Sequence, residues 1–374
     1  MYVSKNETAS IIMLSLICLA LSRLAPQNLC LNKFEQITTF ERIKGFENFS
    51  NFLDQPKLFT VTLMHHIFIL DAFHDSGASL AKTQAKVTNW SDPDVHKWVD
   101  HADAVMVRMT PITRQLLHST KKLKVICKQG VGLDTIDLDA AKEMGIKVYR
   151  TPGVNSEAVA EMAFSLALCV CRRIARFDRL LRAGVPIVRP EHLGLEMWGK
   201  TVGIIGMGNI GTRVAKKWLG AFDAKLIAFD PHAPENAWSD IEHKRVKHLE
   251  EMLSEVDLLT LHLPLTKESH HLLSLKELRK MKANAVLINV SRGGIIDEVA
   301  LRKVLSEGHL FGVGLDVFEI EPLRADDPLL EFENVVFTPH AAAGTHETQQ
   351  RSAKQVAQQV IDALNGLEPA NRVV

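Results

Sequence analysis

The sequence predicts an α/β protein built from two doubly wound, parallel-sheet domains, the second inserted into the first. Three observations carry that prediction. From about residue 66 onward, short apolar runs alternate with amphipathic runs, the pattern of βαβ units. A glycine-rich turn between an apolar strand and a helix falls more than halfway along, at 206–211, so a complete α/β unit precedes it. A last amphipathic stretch, about 345–365, follows the final strand and is expected to return to the first unit. The expected organisation is an extension over 1–60, a first domain from 61–152 and 342–374, and a second over 153–341.

The chain has 374 residues, 46% hydrophobic and 24% charged, a composition that supports large buried cores. Lys plus Arg and Asp plus Glu number 44 each, a formal net charge of zero. This balance argues against a broad electrostatic grip on nucleic acid or on an anionic membrane. The five cysteines, Cys18, Cys30, Cys127, Cys169 and Cys171, contain no C-x-x-C pair. That points to free thiols in a reducing compartment, the cytoplasm, and to no metal site. The uncharged run 9–21 is too short to span a bilayer but long enough for the apolar part of a signal peptide. The charges before it and the poor cleavage sequence "SRLAPQ" favour an extension over a targeting signal, and 1–60 is set outside the fold argument.

In the first unit, strands are expected at 67–70, 104–107, 123–127 and 146–149, with helices at 112–120 and 137–145. One long helix is then expected over 155–183. Asn155 or Ser156 suits its N-cap, Glu157 its first turn, Arg179 and Arg182 its last, and Gly184 its C′ position. Its middle, 158–170, is apolar on almost every side, so it is buried in a core or shared between two chains; a homodimer through this helix is expected. The second unit has expected strands at 202–205, 225–229, 257–261, 285–289, 312–316 and 335–338. Its helices are expected at about 209–219, closing at Gly220, and at about 247–254, 274–281 and 297–307.

Gly206, Gly208 and Gly211 form G-x-G-x-x-G between the strand "VGII" and the helix opened by Asn209 and Ile210. A second strand ends at Asp230, nineteen residues beyond Gly211. This is the βαβ fingerprint of dinucleotide binding. Gly206 allows the tight turn, Gly208 lets backbone N–H groups reach a pyrophosphate, and Gly211 lets helix and strand pack closely. The helix N-terminus favours the phosphate charge. Asp230 can accept ribose hydroxyls and would repel a 2′-phosphate, and Pro231 and His232 supply no cation for one, so NAD is expected over NADP.

Three later stretches place a reactive residue just after an expected strand, where open α/β sheets bind ligands. They are Arg292 in "LINVSRGGIIDE", Asp316 and Glu321 in "GLDVFEIEP", and His340 in "VVFTPHAAAG". Singly, each has an ordinary structural explanation: a turn arginine, a solvated loop glutamate, one histidine among sixteen. Their joint position on the sheet that carries the glycine turn is what points to a site.

Over residues 66–374 the sequence resembles the D-isomer-specific 2-hydroxyacid dehydrogenases. The resemblance is carried by "GVGLDTIDLDAA", "TPGVNSEAVAE", "GKTVGIIGMGNIG", "LHLPLT", "NVSRGGIIDE", "GLDVFEIEP" and "TPHAAAGT" in that order. It implies two Rossmann- or flavodoxin-like domains, a nicotinamide cofactor, and the catalytic set Arg292, Glu321 and His340. It implies that Arg292 binds the carboxylate of a 2-oxo acid, aided by the backbone of Val131 and Gly132. It implies that His340 carries the proton of the C2 oxygen, and that Glu321 holds the far ring nitrogen. Asp316 and Ser291 fall near the nicotinamide, His262 and Pro264 on the adenine side, and Asn155 at the cleft mouth. Arg108 faces the cleft, and Lys128 and Arg189 are candidates for a second anionic group. A formate dehydrogenase would carry glutamine in place of Glu321. An NAD-sensing corepressor of the same fold is the alternative from outside the enzymes.

Overall fold

In a computed structural model the described residues are 65–374; the run 9–21 and the rest of the 1–60 extension lie outside them. Five parallel strands form the first sheet: β1 (His66–Ile69), β2 (Lys86–Thr88), β3 (Ala104–Val107), β4 (Val125–Lys128) and β5 (Lys147–Arg150). Their order is β2-β1-β3-β4-β5, the flavodoxin-like winding, which reverses between β1 and β3. Every residue of β3 and β4 is buried. That explains why these strands read as unbroken apolar runs: helices cover both faces of the sheet. The connecting helices are α1 (Asp75–Lys82), α2 (Trp98–His101), α3 (Arg114–Ser119) and α4 (Leu138–Glu143).

The second sheet has seven parallel strands: β6 (Thr201–Ile205), β7 (Lys225–Phe229), β8 (Lys244–Arg245), β9 (Leu258–Leu261), β10 (Val286–Asn289), β11 (Gly312–Leu315) and β12 (Val335–Phe337). Their order, β12-β11-β10-β9-β6-β7-β8, is the Rossmann winding with one added strand, and it reverses between β6 and β9. Ile204 pairs with Thr260, Thr260 with Ile288, and Ile288 with Gly314. The strand ends, and the loops that leave them, are therefore level.

Helix α5 (Ser156–Cys171) opens this half and packs on β10, β11 and α7 (Asn209–Phe222). Phe164 meets Trp218 and Phe222 with ring centroids 4.8 and 5.6 Å apart. The remaining helices are α6 (Ile174–Arg182), α8 (Glu250–Leu253), α9 (Leu275–Lys280) and α10 (Glu298–Ser306). The last helix, α11 (His346–Leu364), returns to the first sheet and packs on α1, β3 and β4. A Cβ on Gly77 would lie 2.8 Å from the Ala353 carbonyl oxygen, so α1 and α11 touch backbone to backbone. The final residues pair with β5. Tyr149 bridges Arg372 in antiparallel fashion, and the Val373 amide donates to the Val148 carbonyl at 2.8 Å.

Three expectations are corrected. The helix over 155–183 is broken: Arg173 is left-handed (φ 53°) and separates α5 from α6. The Leu195 amide takes the Cys171 carbonyl at 2.8 Å, the acceptor that a continuing helix would give to Ala175. The Arg173 side chain turns to the Leu193 carbonyl and stacks 4.3 Å over the Phe311 ring. Asn155 stands at the N-cap of α5 but makes no capping bond. Helix α7 does not close at Gly220; it runs two residues further, to Phe222. Arg189 is exposed in a short 3-10 turn and does not line the cleft described below.

Candidate active site

Residues 151–155 link β5 of the first sheet to α5, and 338–345 link β12 of the second sheet to α11. Between the halves lies a cleft of about 1040 Å³, lined by the loops after β3, β4, β10, β11 and β12. Its chemistry comes from strand ends, as the parallel topology requires.

His340 follows β12 and has a left-handed backbone (φ 52°), which is costly for a residue with a side chain. Asp316, at the end of β11, holds it there. The His340 amide donates to the Asp316 carbonyl at 2.7 Å. The buried Asp316 carboxylate accepts the Thr338 hydroxyl at 2.5 Å, the Ala341 amide at 2.8 Å and the Ala342 amide at 3.0 Å. The carboxylate expected beside the nicotinamide is thus fully engaged in shaping the histidine turn.

Nδ1 of His340 lies 2.7 Å from Oε2 of Glu321. The Phe318 amide donates to Oε1 of the same carboxylate at 3.1 Å. Burial pushes the Glu321 carboxyl up, but the His340 hydrogen bond, the Phe318 amide and the charges of His340 and Arg292 outweigh it and hold it below the ordinary value. Glu321 is therefore an anion at neutral pH, and its partner nitrogen carries the hydrogen. Nε2 of His340 has no partner among the described residues. The loop bearing Glu321 is clamped to α10: the Glu319 amide donates to Glu298 at 2.8 Å and the Glu298 amide to Glu319 at 3.2 Å.

Arg292 leaves β10 in a tight turn. Its Nη1 donates to the Ser291 carbonyl at 2.7 Å and its Nε to Oδ2 of Asp134 at 3.3 Å. Asn289 braces this turn, accepting the buried Ser291 hydroxyl at 2.7 Å and donating to the Arg292 carbonyl at 2.9 Å. Opposite stand Val131 and Gly132, in the loop after β4, with Arg108 after β3. Lys128 is 6% exposed and donates to the Arg108 carbonyl. Burial, opposed by nearby Asp71, lowers its ammonium to about 8. Asn155 also lines the cleft, with Oδ1 buried and unpartnered.

The glycine turn lies at the winding reversal of the second sheet. Gly206 has φ 99°, and a Cβ there would lie 2.2 Å from the His262 carbonyl oxygen; one on Gly211 would lie 2.0 Å from the Gly206 oxygen. Gly208 and Asn209 are exposed, and no side chain caps α7. The first amides of a 14-residue helix are thus open to an anion, so the turn fits a dinucleotide pyrophosphate. His262 bonds Thr260 at 2.9 Å, and burial lowers its ring to about 3, so it is neutral. The Pro264 carbonyl accepts the Ser269 hydroxyl at 2.7 Å.

Asp230 accepts the amides of Met207, His232 and Ala233 at 2.8–3.1 Å. Arg245, the last residue of β8, is not marked by any motif in the sequence. Its guanidinium donates to the carbonyls of Asp230, Ala233 and Pro234 at 2.7–2.9 Å. A second such residue is Asp71, two positions past the end of β1. That carboxylate gathers the amides of Arg108, Met109 and Thr110 at 2.5–3.2 Å. Both stand at or just past a strand end, as Arg292 and His340 do, but their roles lie in backbone contacts that spacing does not show.

Residues 164–342 match the family model described as "D-isomer specific 2-hydroxyacid dehydrogenase, NAD binding domain". The glyoxylate reductase of Korarchaeum cryptofilum is 38% identical over 317 residues, covering 82% of this chain and 95% of that protein. The chain belongs to the D-isomer specific 2-hydroxyacid dehydrogenases. The D-3-phosphoglycerate dehydrogenase of Methanocaldococcus jannaschii is 37% identical over 315 residues; the match covers 83% of this chain and 59% of that protein. Among solved structures, the D-lactate dehydrogenase from Aquifex aeolicus, complexed with NAD and lactic acid, superposes with a TM-score of 0.71 at 30% identity. That match covers 81% of this chain and 96% of the other. This dehydrogenase is thus an oxidoreductase of the hydride-transfer type with a nicotinamide-binding half. Among the described residues, no helix is long and apolar enough to cross a membrane.

Proposed function

We propose that this dehydrogenase reduces a small 2-oxo acid to the D-2-hydroxy acid with NADH, and runs in reverse with NAD. When bound, the cofactor supplies the hydride to C2. Arg292, charged at every working pH, presents a planar fork to the substrate carboxylate, and the Val131 and Gly132 amides support it. His340 gives a proton from Nε2 to the C2 oxygen as negative charge develops there, and takes it back in the oxidative direction. Glu321 accepts the hydrogen on Nδ1, fixing the ring's orientation so that Nε2 is the nitrogen that exchanges the proton. The observation that carries this reading is the 2.7 Å His340–Glu321 pair in one cleft with Arg292.

Asp230 supports NADH over NADPH: a 2′-phosphate would meet its carboxylate, while the fork of the adjacent Arg245 is committed to carbonyl oxygens. A homodimer is supported by α6, which buries no residue and exposes Ile174 and Leu181 at 55% and 68%. The buried helix α5 serves its own core instead. The unpaired thiols of Cys127, Cys169 and Cys171 support a reducing, cytoplasmic setting.

The test is a panel of glyoxylate, hydroxypyruvate, pyruvate and 3-phosphohydroxypyruvate, scored by kcat/KM with NADH and with NADPH. One or more acids should accelerate NADH oxidation, and Arg292→Ala should lower kcat/KM by about 100-fold or more, the scale of a lost charged contact. No acceleration by any acid would overturn the reading.

A further inference from the structure

Arg292 and Asp134 form the one ion pair, among the described residues, that joins the half built on the seven-stranded sheet to the half built on the five-stranded sheet. The bond is single and long, from Nε to Oδ2 at 3.3 Å, while Nη1 is held by the Ser291 carbonyl at 2.7 Å. Nη2 has no hydrogen-bond partner among the described residues. It lies against Gly132, where a Cβ would approach it to 1.9 Å.

The edge formed by Nε and Nη2 is one that matches two carboxylate oxygens side by side. Asp134 uses half of that edge. Its side chain is 62% exposed, and an exposed pair of this kind contributes little. A substrate carboxylate that takes both hydrogens, with the Val131 and Gly132 amides beside it, makes the stronger contact. Two carboxylates cannot share one edge without repulsion.

We infer that Asp134 and the substrate carboxylate are alternative partners of Arg292, so that Asp134 acts as an internal competitor that sets the affinity for 2-oxo acids. The inference rests on Arg292 as the substrate's partner in the proposed reaction. Asp134 holds the fork towards the loop after β4, and a planar, bidentate anion displaces it. Small monodentate anions gain too little to do so. Because the pair spans the cleft, the exchange also replaces a bond between the halves with one through the substrate.

The test compares the wild type, Asp134→Asn and Asp134→Glu, each with NADH. It measures KM for glyoxylate and Kd for oxamate, an unreactive planar 2-oxo acid analogue, by calorimetry. Asp134→Asn should tighten both by about three- to tenfold, and Asp134→Glu should stay near the wild type. In an Arg292→Gln background, Asp134→Asn should tighten neither. Unchanged or weakened binding in Asp134→Asn would overturn the inference. Wild-type turnover of the 2-oxo acid panel separately decides the proposed reaction. The oxamate measurement needs no turnover, so the two can fail independently.

Discussion

Asp316 holds the main chain of His340 in its left-handed conformation: its carbonyl takes the His340 amide, and its carboxylate takes the amides of the next two residues. Asp316→Ala keeps the carbonyl but would leave the Thr338 hydroxyl and the Ala341 and Ala342 amides without their acceptor. It should cost roughly 2–4 kcal/mol of stability and lower kcat more than KM, because the imidazole loses its placement. Denaturant unfolding and steady-state kinetics on the same preparation check both. A variant of full activity would show that the turn stands without this carboxylate.

His340→Gln should lower kcat by about 100- to 10,000-fold through loss of the proton carrier, with a smaller loss for Glu321→Gln. The Glu321 carboxyl sits below its ordinary value. It therefore contributes stability that is present above the unfolded value, about 4.3, and lost as pH falls through the folded one. Glu321→Gln should lose that contribution, lowering stability at neutral pH, flattening the acid limb and changing little below the folded value. Thermal melts from about pH 3 to 7 measure this.

Lys128 gives the opposite limb. Its ammonium is lowered to about 8, so the cleft loses one positive charge as pH rises through that value. KM for a 2-oxo acid should rise above about pH 8, and Lys128→Met should abolish the rise. For stability the sign reverses. The fold disfavours the charged lysine, so its destabilising contribution fades between about 8 and the unfolded value near 10.4. A KM profile of the same shape in Lys128→Met would assign the limb elsewhere.

Asp230→Ala should narrow the preference for NADH over NADPH. It also releases the Met207, His232 and Ala233 amides, so some loss with both cofactors is expected. The ratio of the two kcat/KM values is the readout. An unchanged ratio would remove Asp230 from the choice of cofactor.

Leu181→Glu, on the exposed α6, should give a monomer in sedimentation while the fold survives, since no residue of that helix is buried. A dimer that persists would place the contact on another face.

The strands of both sheet interiors were legible because each is buried on both faces and reads as an apolar run. The edge strands β2 and β8 were not. They are three and two residues long and carry lysine and arginine. Helix α1 was hidden by its composition: "DSGASLAK" buries only Gly77, Ala78 and Ala81, small residues that suit a close helix contact but make no apolar stripe. The break at Arg173 could not be read, since arginine is a good helix former and the kink is set by Leu195, Leu193 and Phe311. In the site, Arg292, Glu321 and His340 stood out by following strands. Asp71, Asp134 and Arg245 did not, because their roles depend on backbone amides, carbonyls and a facing loop rather than on spacing.

The pairing of residues 372–374 with β5 has a practical meaning for anyone handling this chain. An outermost strand with free amides is an invitation to another polypeptide, and here the chain answers it with its own tail. Clipping those residues would leave the catalytic cleft untouched yet bare a strand margin. The expected symptom is clumping during storage rather than loss of turnover.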